Sequence, residues 1–225
     1  MTRTSPRAGP VSVGRASALS LALIALLATL LATPSAAGAA SVAPRTPLAR
    51  SQPQAGAPGA GQQFALAAKR LNITMQAQQK TNWCWAASGN TVASWYGRNY
   101  SQNQFCNAAF NRPQNSTCPN NQATLGNVQT GLRWAGISPG SYVNGWLRYD
   151  TVQTEINADR PIETRIQWSS GGGHMHVIHG YDTSRGWVYW GDPWPDNTRY
   201  NWAAHDWYID NNEFSWTHSL YRIGA

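Results

Sequence analysis

The spacing of apolar residues changes near Asp150–Pro161, and this change limits the fold more than any other feature of the sequence. Before it, apolar residues recur at the three- and four-residue intervals of helices; after it, they alternate with a period of two, as in strands. Helices are predicted over Cys84–Tyr96, Ser101–Phe110, Thr124–Trp134 and Thr151–Ala158. Strands are predicted over Pro161–Trp168, His174–Tyr181, Gly186–Trp190, Asn201–Tyr208 and Phe214–Ile223. Helices followed by an antiparallel sheet indicate an α+β domain.

Residues 1–40 have the features of a bacterial-type secretory signal peptide. Three arginines precede an apolar run from Ala16 to Ala32, and small residues suited to signal cleavage follow it. Residues 41–65 are rich in Pro, Ala, Gly, Ser and Gln, which is typical of a disordered linker or a short pro-segment. We therefore predict a secreted protein with one folded domain over residues 66–225 and no membrane anchor after cleavage.

The formal charge of +7 is distributed unevenly along the chain. Residues 71–149 contain five basic and no acidic residues, whereas residues 150–225 contain ten acidic and five basic residues. The two parts of the predicted domain therefore carry opposite net charges. Because nucleic-acid binding requires a uniformly basic surface, we predict no nucleic-acid partner.

The chain has three cysteines, an odd number for a protein that is predicted to be secreted. Cys106 and Cys118 lie close together in a polar stretch, and we predict a disulfide between them. Closing so short a loop contributes about 3 kcal/mol in the chain-entropy model. Cys84 is then a free thiol, which is a liability outside the cell unless the protein uses it.

The segment Asn82–Ser88 places Cys84 between two tryptophans and directly before small residues. Cys84 is also the first residue of a predicted helix. Unpaired backbone N–H groups and the positive end of the helix dipole stabilise an anion at this position, and hence a thiolate. We therefore predict that Cys84 is a reactive nucleophile.

Two later segments contain the groups that a thiol nucleophile needs, a base and a residue that orients the base. Residues 171–181 include His174, His176 and His179. On a strand, His174 and His176 share one face and His179 points to the other. We interpret His174, next to the glycine-rich turn, as the base, with His176 as the main alternative. Asp192, in residues 191–194, is interpreted as the orienting group.

These motifs together resemble those of papain-like cysteine peptidases, and most closely the compact bacterial secreted and effector proteases. In that family a glutamine lies six residues before the catalytic cysteine, as Gln78 lies before Cys84. The catalytic histidine lies six residues before a Gly-Tyr pair, as His174 lies before Gly180-Tyr181. The third residue is Asn or Asp with a tryptophan two positions later, as in Asp192-Pro193-Trp194.

The resemblance implies a fold with an N-terminal helical lobe followed by a sheet or half-barrel lobe. It also implies that Cys84 attacks a peptide carbonyl and forms a thioacyl-enzyme, that His174 protonates the leaving amine, and that Asp192 orients His174. Gln78 and the backbone N–H of Cys84 would form the oxyanion hole. Trp83, Trp85 and Trp194 flank these groups and are predicted to contribute to binding, with Trp194 shielding the His174–Asp192 contact.

Three other functions stay open from the sequence. His174, His176, Asp192 and Cys84 are of the types that bind zinc, although no ligand pair has a known catalytic spacing. The twelve tryptophans could form a sugar-binding platform, in which case Cys84 would be dispensable. Related thiol enzymes use the same triad for acyl transfer, deamidation or amide cleavage. We predict a monomeric cysteine endopeptidase that acts on proteins or peptides and needs no cofactor or metal.

Overall fold

The structure is a computed structural model that describes residues 67–225. Along the chain, its elements are β1 (Ala68–Arg70), α1 (Cys84–Trp95), α2 (Gln102–Ala109), α3 (Leu125–Trp134), β2 (Ser141–Asn144), α4 (Tyr149–Asn157), β3 (Ile162–Trp168), β4 (Gly173–Asp182), β5 (Trp187–Gly191), β6 (Tyr200–Ala204), α5 (His205–Ile209) and β7 (Phe214–Tyr221). Within residues 67–225, no helix is both long and apolar enough to cross a membrane. The α+β class predicted from the sequence is confirmed.

All strand pairs of the seven-stranded sheet are antiparallel, in the order β2-β7-β3-β4-β5-β6, with β1 added to β4. Gly171 and Gly172 both have positive φ, and they form the tight turn that joins β3 to β4. The register of these two strands pairs Ile166 with His174 and Thr164 with His176. His174 is therefore placed at the beginning of the central strand β4.

Helix α1 packs against β4 and is buried along most of its length, from Trp85 to Ala93. The hydroxyl of Ser88 donates a hydrogen bond of 3.3 Å to the carbonyl of Met175, which joins the helix to the strand. A small residue of α1 also allows α2 to come close. At Gly89, an added Cβ would lie 2.6 Å from the ring of Phe105 in α2. The packing of α1 against β4 brings the beginning of the helix next to the beginning of the strand.

The four predicted helices are present, with ends that differ by one or two residues. Ser101 and Thr124 each cap a helix as the first residue of a complete capping box. The predicted disulfide between Cys106 and Cys118 is present, and Cys84 is a free cysteine. The predicted signal peptide (residues 1–40) and linker (residues 41–65) lie outside the described residues.

One strand prediction is wrong, and two strands were missed. Residues 201–208 do not form a single strand, because β6 ends at Ala204 and α5 follows directly. His205 and Tyr208 are both buried, at the three-residue spacing of a helix, and His205 Nε2 is 2.9 Å from the carbonyl oxygen of Leu147. The missed strands, β1 and β2, have only three and four residues. Segments this short show too little alternation to be recognised in a sequence.

Candidate active site

A cavity of about 320 Å³ lies where the beginning of α1 meets the beginning of β4. Its walls combine the free thiol of Cys84 with the imidazole of His174, two groups ninety positions apart in sequence. The lining residues are Thr81, Asn82, Cys84, Trp85, Gln122, Ala123, Arg165, Trp168, Gly173, His174, Met175, Trp194 and Asn197. Side chains from the helical part and from the sheet thus face each other across one space.

The loop before Cys84 is held by the segment 118–121, through hydrogen bonds to successive backbone carbonyls. The Nζ atom of Lys80 donates to Cys118, the indole N–H of Trp83 donates to Pro119, and the indole N–H of Trp85 donates to Asn121, over 2.6 to 3.0 Å. Asn82 forms two further hydrogen bonds of 2.9 Å with Asn120. The disulfide joins Cys118 to Cys106 in α2, so the segment 118–121 is fixed covalently to that helix. Its hydrogen bonds then fix the position of the loop that contains Cys84.

Cys84 is the first residue of α1, directly after the N-cap residue Trp83. The first backbone N–H groups of a helix have no partner within the helix, and they point towards whatever lies in front of its N-terminus. A partly exposed thiol at this position faces the cavity, in the field of the helix dipole. The geometry therefore suits a thiol that meets a substrate in the cavity.

His174 is hydrogen-bonded to Asp192, with 2.7 Å between His174 Nε2 and Asp192 Oδ1. Asp192 follows β5, the neighbour of β4 in the sheet, and three other groups fix its position. The backbone N–H of Trp194 donates to Oδ1, the side-chain amide of Asn197 donates to Oδ2, both over 2.8 Å, and Arg199 donates to the backbone carbonyl. Since Nε2 is taken by Asp192, Nδ1 is the nitrogen left to interact with Cys84.

The electrostatics of this pair favour the charged forms of both groups. Burial lowers the pKa of His174, but the hydrogen bonds to Asp192 and Cys84 outweigh this effect and raise it to about 9. Burial raises the pKa of Asp192, but the hydrogen bond to His174 and the nearby ring of His176 outweigh this and hold it well below its ordinary range. At neutral pH the site therefore contains an imidazolium beside the cysteine.

The structure separates the three histidines of β4. The rings of His174 and His176 have centroids 5.0 Å apart, whereas His179 faces the carbonyl of Leu71 and the ring of Tyr200. His176 Nε2 is 3.6 Å from Asp192 Oδ2, and its Nδ1 is 3.1 Å from the hydroxyl of Tyr208. Burial lowers the pKa of His176, in the opposite direction to that of His174.

Gln78 lies next to the segment that contains Asp192, since its backbone N–H donates to Pro193 over 2.8 Å. Its side-chain amide, however, donates to the carbonyls of Lys80 and Thr81, both over 2.9 Å. The amide oxygen is buried, with no hydrogen-bond partner within residues 67–225. In this conformation Gln78 stabilises the turn before Cys84, and its amide hydrogens are already engaged.

The three tryptophans predicted to contribute to binding have different environments. Trp85 and Trp194 line the cavity, and the ring of Trp194 lies 6.4 Å from that of His174 in an edge-on arrangement. Trp83 does not line it, because its ring is only 1% exposed and packs in the core under the ammonium group of Lys80. Trp83 thus supports the loop and lies away from the cavity surface.

Sequence reasoning did not single out Arg165, Trp168, Gln122 or Asn197, all of which line the cavity. The side-chain amide of Asn197 also donates a hydrogen bond to the carboxylate of Asp192, which lies five positions earlier in the chain. Gln122 and Asn197 belong to no motif or periodic pattern. Arg165 and Trp168 lie in a predicted strand, but the alternation of that strand does not show which distant residues they meet, so only the packing of the strands could identify them.

The buried side chains of His174, His176 and Asp192 place one donor atom each within 4.8 Å of one another. This set has the nitrogen and oxygen donors that zinc accepts. Cys84, the fourth candidate ligand considered from the sequence, is not part of the cluster. Two of its three members, His174 and Asp192, are hydrogen-bonded to each other.

The chain is similar to a solved structure and to a family of known proteins. One solved structure similar to the chain is a double glycine motif protease from an AMS/PCAT transporter in complex with the leader peptide. The two chains share 15% sequence identity, and the alignment covers 68% of this chain and 93% of that chain, with a TM-score of 0.46. No curated protein matches the chain. Residues 67–213 match the family described as papain-like cysteine protease AvrRpt2. The chain therefore belongs to this family of papain-like cysteine proteases.

Proposed function

We propose that this peptidase is a secreted endopeptidase that hydrolyses internal peptide bonds of proteins or peptides through Cys84, His174 and Asp192. The observation that carries the proposal is that Cys84 and His174 line the same cavity, while Nε2 of His174 is 2.7 Å from the buried carboxylate of Asp192. This is the relation of nucleophile, base and orienting group that acyl transfer requires.

In the proposed reaction, the thiolate of Cys84 attacks the carbonyl carbon of the scissile bond. The resulting oxyanion is stabilised by backbone N–H groups at the beginning of α1, and by Gln78 if its amide leaves the carbonyls of Lys80 and Thr81. His174 donates its Nδ1 proton to the amine nitrogen as the C–N bond breaks, leaving a thioester on Cys84. His174 then takes a proton from water, whose oxygen attacks the thioester and releases the carboxylic acid.

Two features of the site support the endopeptidase proposal. The pKa of His174, about 9, keeps the imidazole protonated at neutral pH, as donation to a leaving amine requires. The cavity lies between two walls and is lined by Trp85 on one side and Trp194 on the other, which suits an extended peptide that passes over Cys84.

The first test is labelling of the domain with an epoxide thiol inhibitor, followed by mass spectrometry of the adduct. We expect one adduct, on Cys84, which is lost in Cys84→Ala and strongly reduced at neutral pH in His174→Ala. Thermal unfolding of each variant checks that it is folded. An unreactive Cys84 in folded, reduced protein would contradict the proposal and would favour a binding role for the exposed tryptophans.

The second test separates hydrolysis of peptide bonds from the other reactions of a thioester. A peptide blocked at both ends is incubated with the enzyme, with and without an added amine. Endopeptidase activity produces two fragments with a new carboxyl and a new amino terminus. Transfer of the acyl group to the amine, or conversion of a side-chain amide to an acid, would indicate a transferase or an amidase.

Secretion and the monomeric state are also part of the proposal, and the amino-acid sequence supports secretion through the arginines and apolar run of residues 1–40. Mass spectrometry of protein recovered from the culture medium tests cleavage near residue 40. Light scattering of the mature domain tests its oligomeric state.

A further inference from the structure

Arg165 is the one residue with a permanent charge among those that line the candidate active-site cavity. It lies on β3 and pairs with Met175, the residue after His174 on β4. Its side chain extends across Gly173, where an added Cβ would lie 2.5 Å from Nη2. The absence of a side chain at Gly173 thus leaves the space that the guanidinium occupies, one residue from His174.

The guanidinium of Arg165 has neutral partners only. Nη1 donates to the hydroxyl of Thr217 over 2.9 Å, and Nη2 donates to the side-chain carbonyl of Gln167 over 3.0 Å. Within residues 67–225, no carboxylate lies within salt-bridge distance of it. Because a guanidinium has five N–H donors, three are left without a partner there, on a half-buried side chain that faces the cavity.

The opposite wall of the cavity contains no carboxylate, because its residues come from the part of the chain between residues 71 and 149, which has no acidic residue at all. Its one anionic group is the Cys84 thiolate of the proposed reaction, whose charge is balanced by the protonated ring of His174. On the sheet side, Asp192 is bonded to His174 and Asn197. Asp196, on the exposed loop nearby, is not among the lining residues.

We propose that Arg165 selects substrates that carry a carboxylate, on an aspartate or glutamate side chain close to the scissile bond. This inference rests on the proposed endopeptidase function. Two parallel hydrogen bonds from the guanidinium to the carboxylate satisfy its unused donors, and the planar fork of arginine matches a carboxylate in a way that lysine does not. A glutamine at the same substrate position accepts fewer hydrogen bonds and has no charge.

The test uses peptides acetylated and amidated at their ends, so that side chains carry the only carboxylates. Each position near the scissile bond is changed between glutamate and glutamine, and kcat/KM is measured for the wild type, Arg165→Gln and Arg165→Lys. We expect one position at which the wild type prefers glutamate by about 10- to 100-fold, the value of a charge-assisted hydrogen bond. Arg165→Gln should abolish this preference, and Arg165→Lys should retain only part of it.

The control is Arg133→Gln, which removes the same charge from an exposed position on α3 that does not line the cavity. It should keep the full preference for glutamate. A second peptide series with a free terminal carboxylate shows whether Arg165 binds a chain end instead. A preference for the free chain end, lost in Arg165→Gln, without any preference for glutamate over glutamine would overturn the proposal.

The outcome distinguishes this inference from the proposed function. Alkylation of Cys84 by neutral iodoacetamide and hydrolysis of a neutral peptide report on the active site alone, and their absence in the wild type would overturn the proposed function. If both are present and the wild type has no preference for glutamate, or Arg165→Gln retains it, the inference about Arg165 is wrong. Should Arg165→Gln fail to fold, the wild type and Arg165→Lys decide the question in the same way.

Discussion

Replacing Asp192 with asparagine removes the negative charge that faces the protonated ring of His174 and keeps the shape of the side chain. The pKa of His174 is raised from 6.5 to about 9, although burial acts in the opposite direction. At about 1.4 kcal/mol for each pH unit, this difference corresponds to about 3 kcal/mol in favour of the imidazolium. The hydrogen bond to Asp192 is the largest of the contributions that raise it.

The assay is kcat/KM for a peptide substrate as a function of pH. For the wild type we expect activity to fall on the alkaline side near pH 9, as His174 loses the proton that it donates to the leaving amine. In Asp192→Asn the fall should move to lower pH by between about 1 and 3 units, the usual effect of an adjacent opposite charge. At pH 8.5 this predicts a loss of about threefold for a shift of one unit and of about 200-fold for a shift of three units.

Stability provides a second measurement on the same pair. Because the pKa of His174 is raised on folding, its protonated ring stabilises the fold fully below pH 6.5, and this stabilisation is lost as the pH rises through about 9. Asp192→Asn should flatten this decline. Asp196→Asn is the matched control, since it removes a carboxylate of the same type from an exposed position nearby. An alkaline fall that stays near pH 9 in Asp192→Asn would refute the reasoning.

Three further predictions concern groups outside the pair. Burial raises the pKa of Glu163, whose two carboxylate oxygens have no hydrogen-bond partner within residues 67–225. The protonated side chain is therefore favoured in the folded protein, and the stability that it contributes is full below pH 4.5 and is lost as the pH rises. Glu163→Gln, which stays uncharged, should raise the free energy of unfolding at pH 7 by up to about 3 kcal/mol. Replacing Cys106 and Cys118 together by alanine should lower that free energy by about 3 kcal/mol and should also lower kcat/KM, because the segment after Cys118 holds the Cys84 loop. Gly131→Ala should cost about 1 to 3 kcal/mol, since its Cβ would lie 2.6 Å from a buried aromatic ring.

Urea unfolding measures all three changes, and each has its own check. The gain in Glu163→Gln should vanish near pH 4, and a gain independent of pH would contradict a role for ionisation. Activity of the disulfide variant is measured under conditions where it is fully folded; an unchanged kcat/KM there would mean that the disulfide does not position the loop. Gly126→Ala is the control for Gly131→Ala, because its Cβ would contact only Thr124 Oγ1, at 3.4 Å, and the change should be neutral or stabilising.

The candidate nucleophile could be predicted from local features alone. Cys84 was identified from its neighbours and from its position at the beginning of a helix, and both features belong to one short segment of chain. The disulfide followed from the number and spacing of the cysteines. The order of helices and strands also gave the α+β class, since the period of apolar residues reports which side of an element is buried.

Features that depend on packing between distant segments could not be predicted in this way. Helix α5 was taken for part of a strand, because its burial depends on contacts with residues far along the chain, such as that of His205 with Leu147 and that of Tyr208 with Thr164. Gln78 was assigned to the oxyanion hole from spacing, yet only the conformation of the turn reveals that its amide hydrogens are donated to Lys80 and Thr81.

By itself, the sequence determined the chemistry that is available: a thiol at a helix start, histidines on one face of a strand, and an aspartate after the next strand. Only the tertiary structure decided which of these groups meet. Packing of α1 on β4 places His174, and not His176, on the cavity with Cys84, and it brings Arg165 into the same space. Hydrogen bonds and charge interactions fall off within a few ångströms, whereas these residues are about eighty to ninety positions apart, so the fold alone sets their distances.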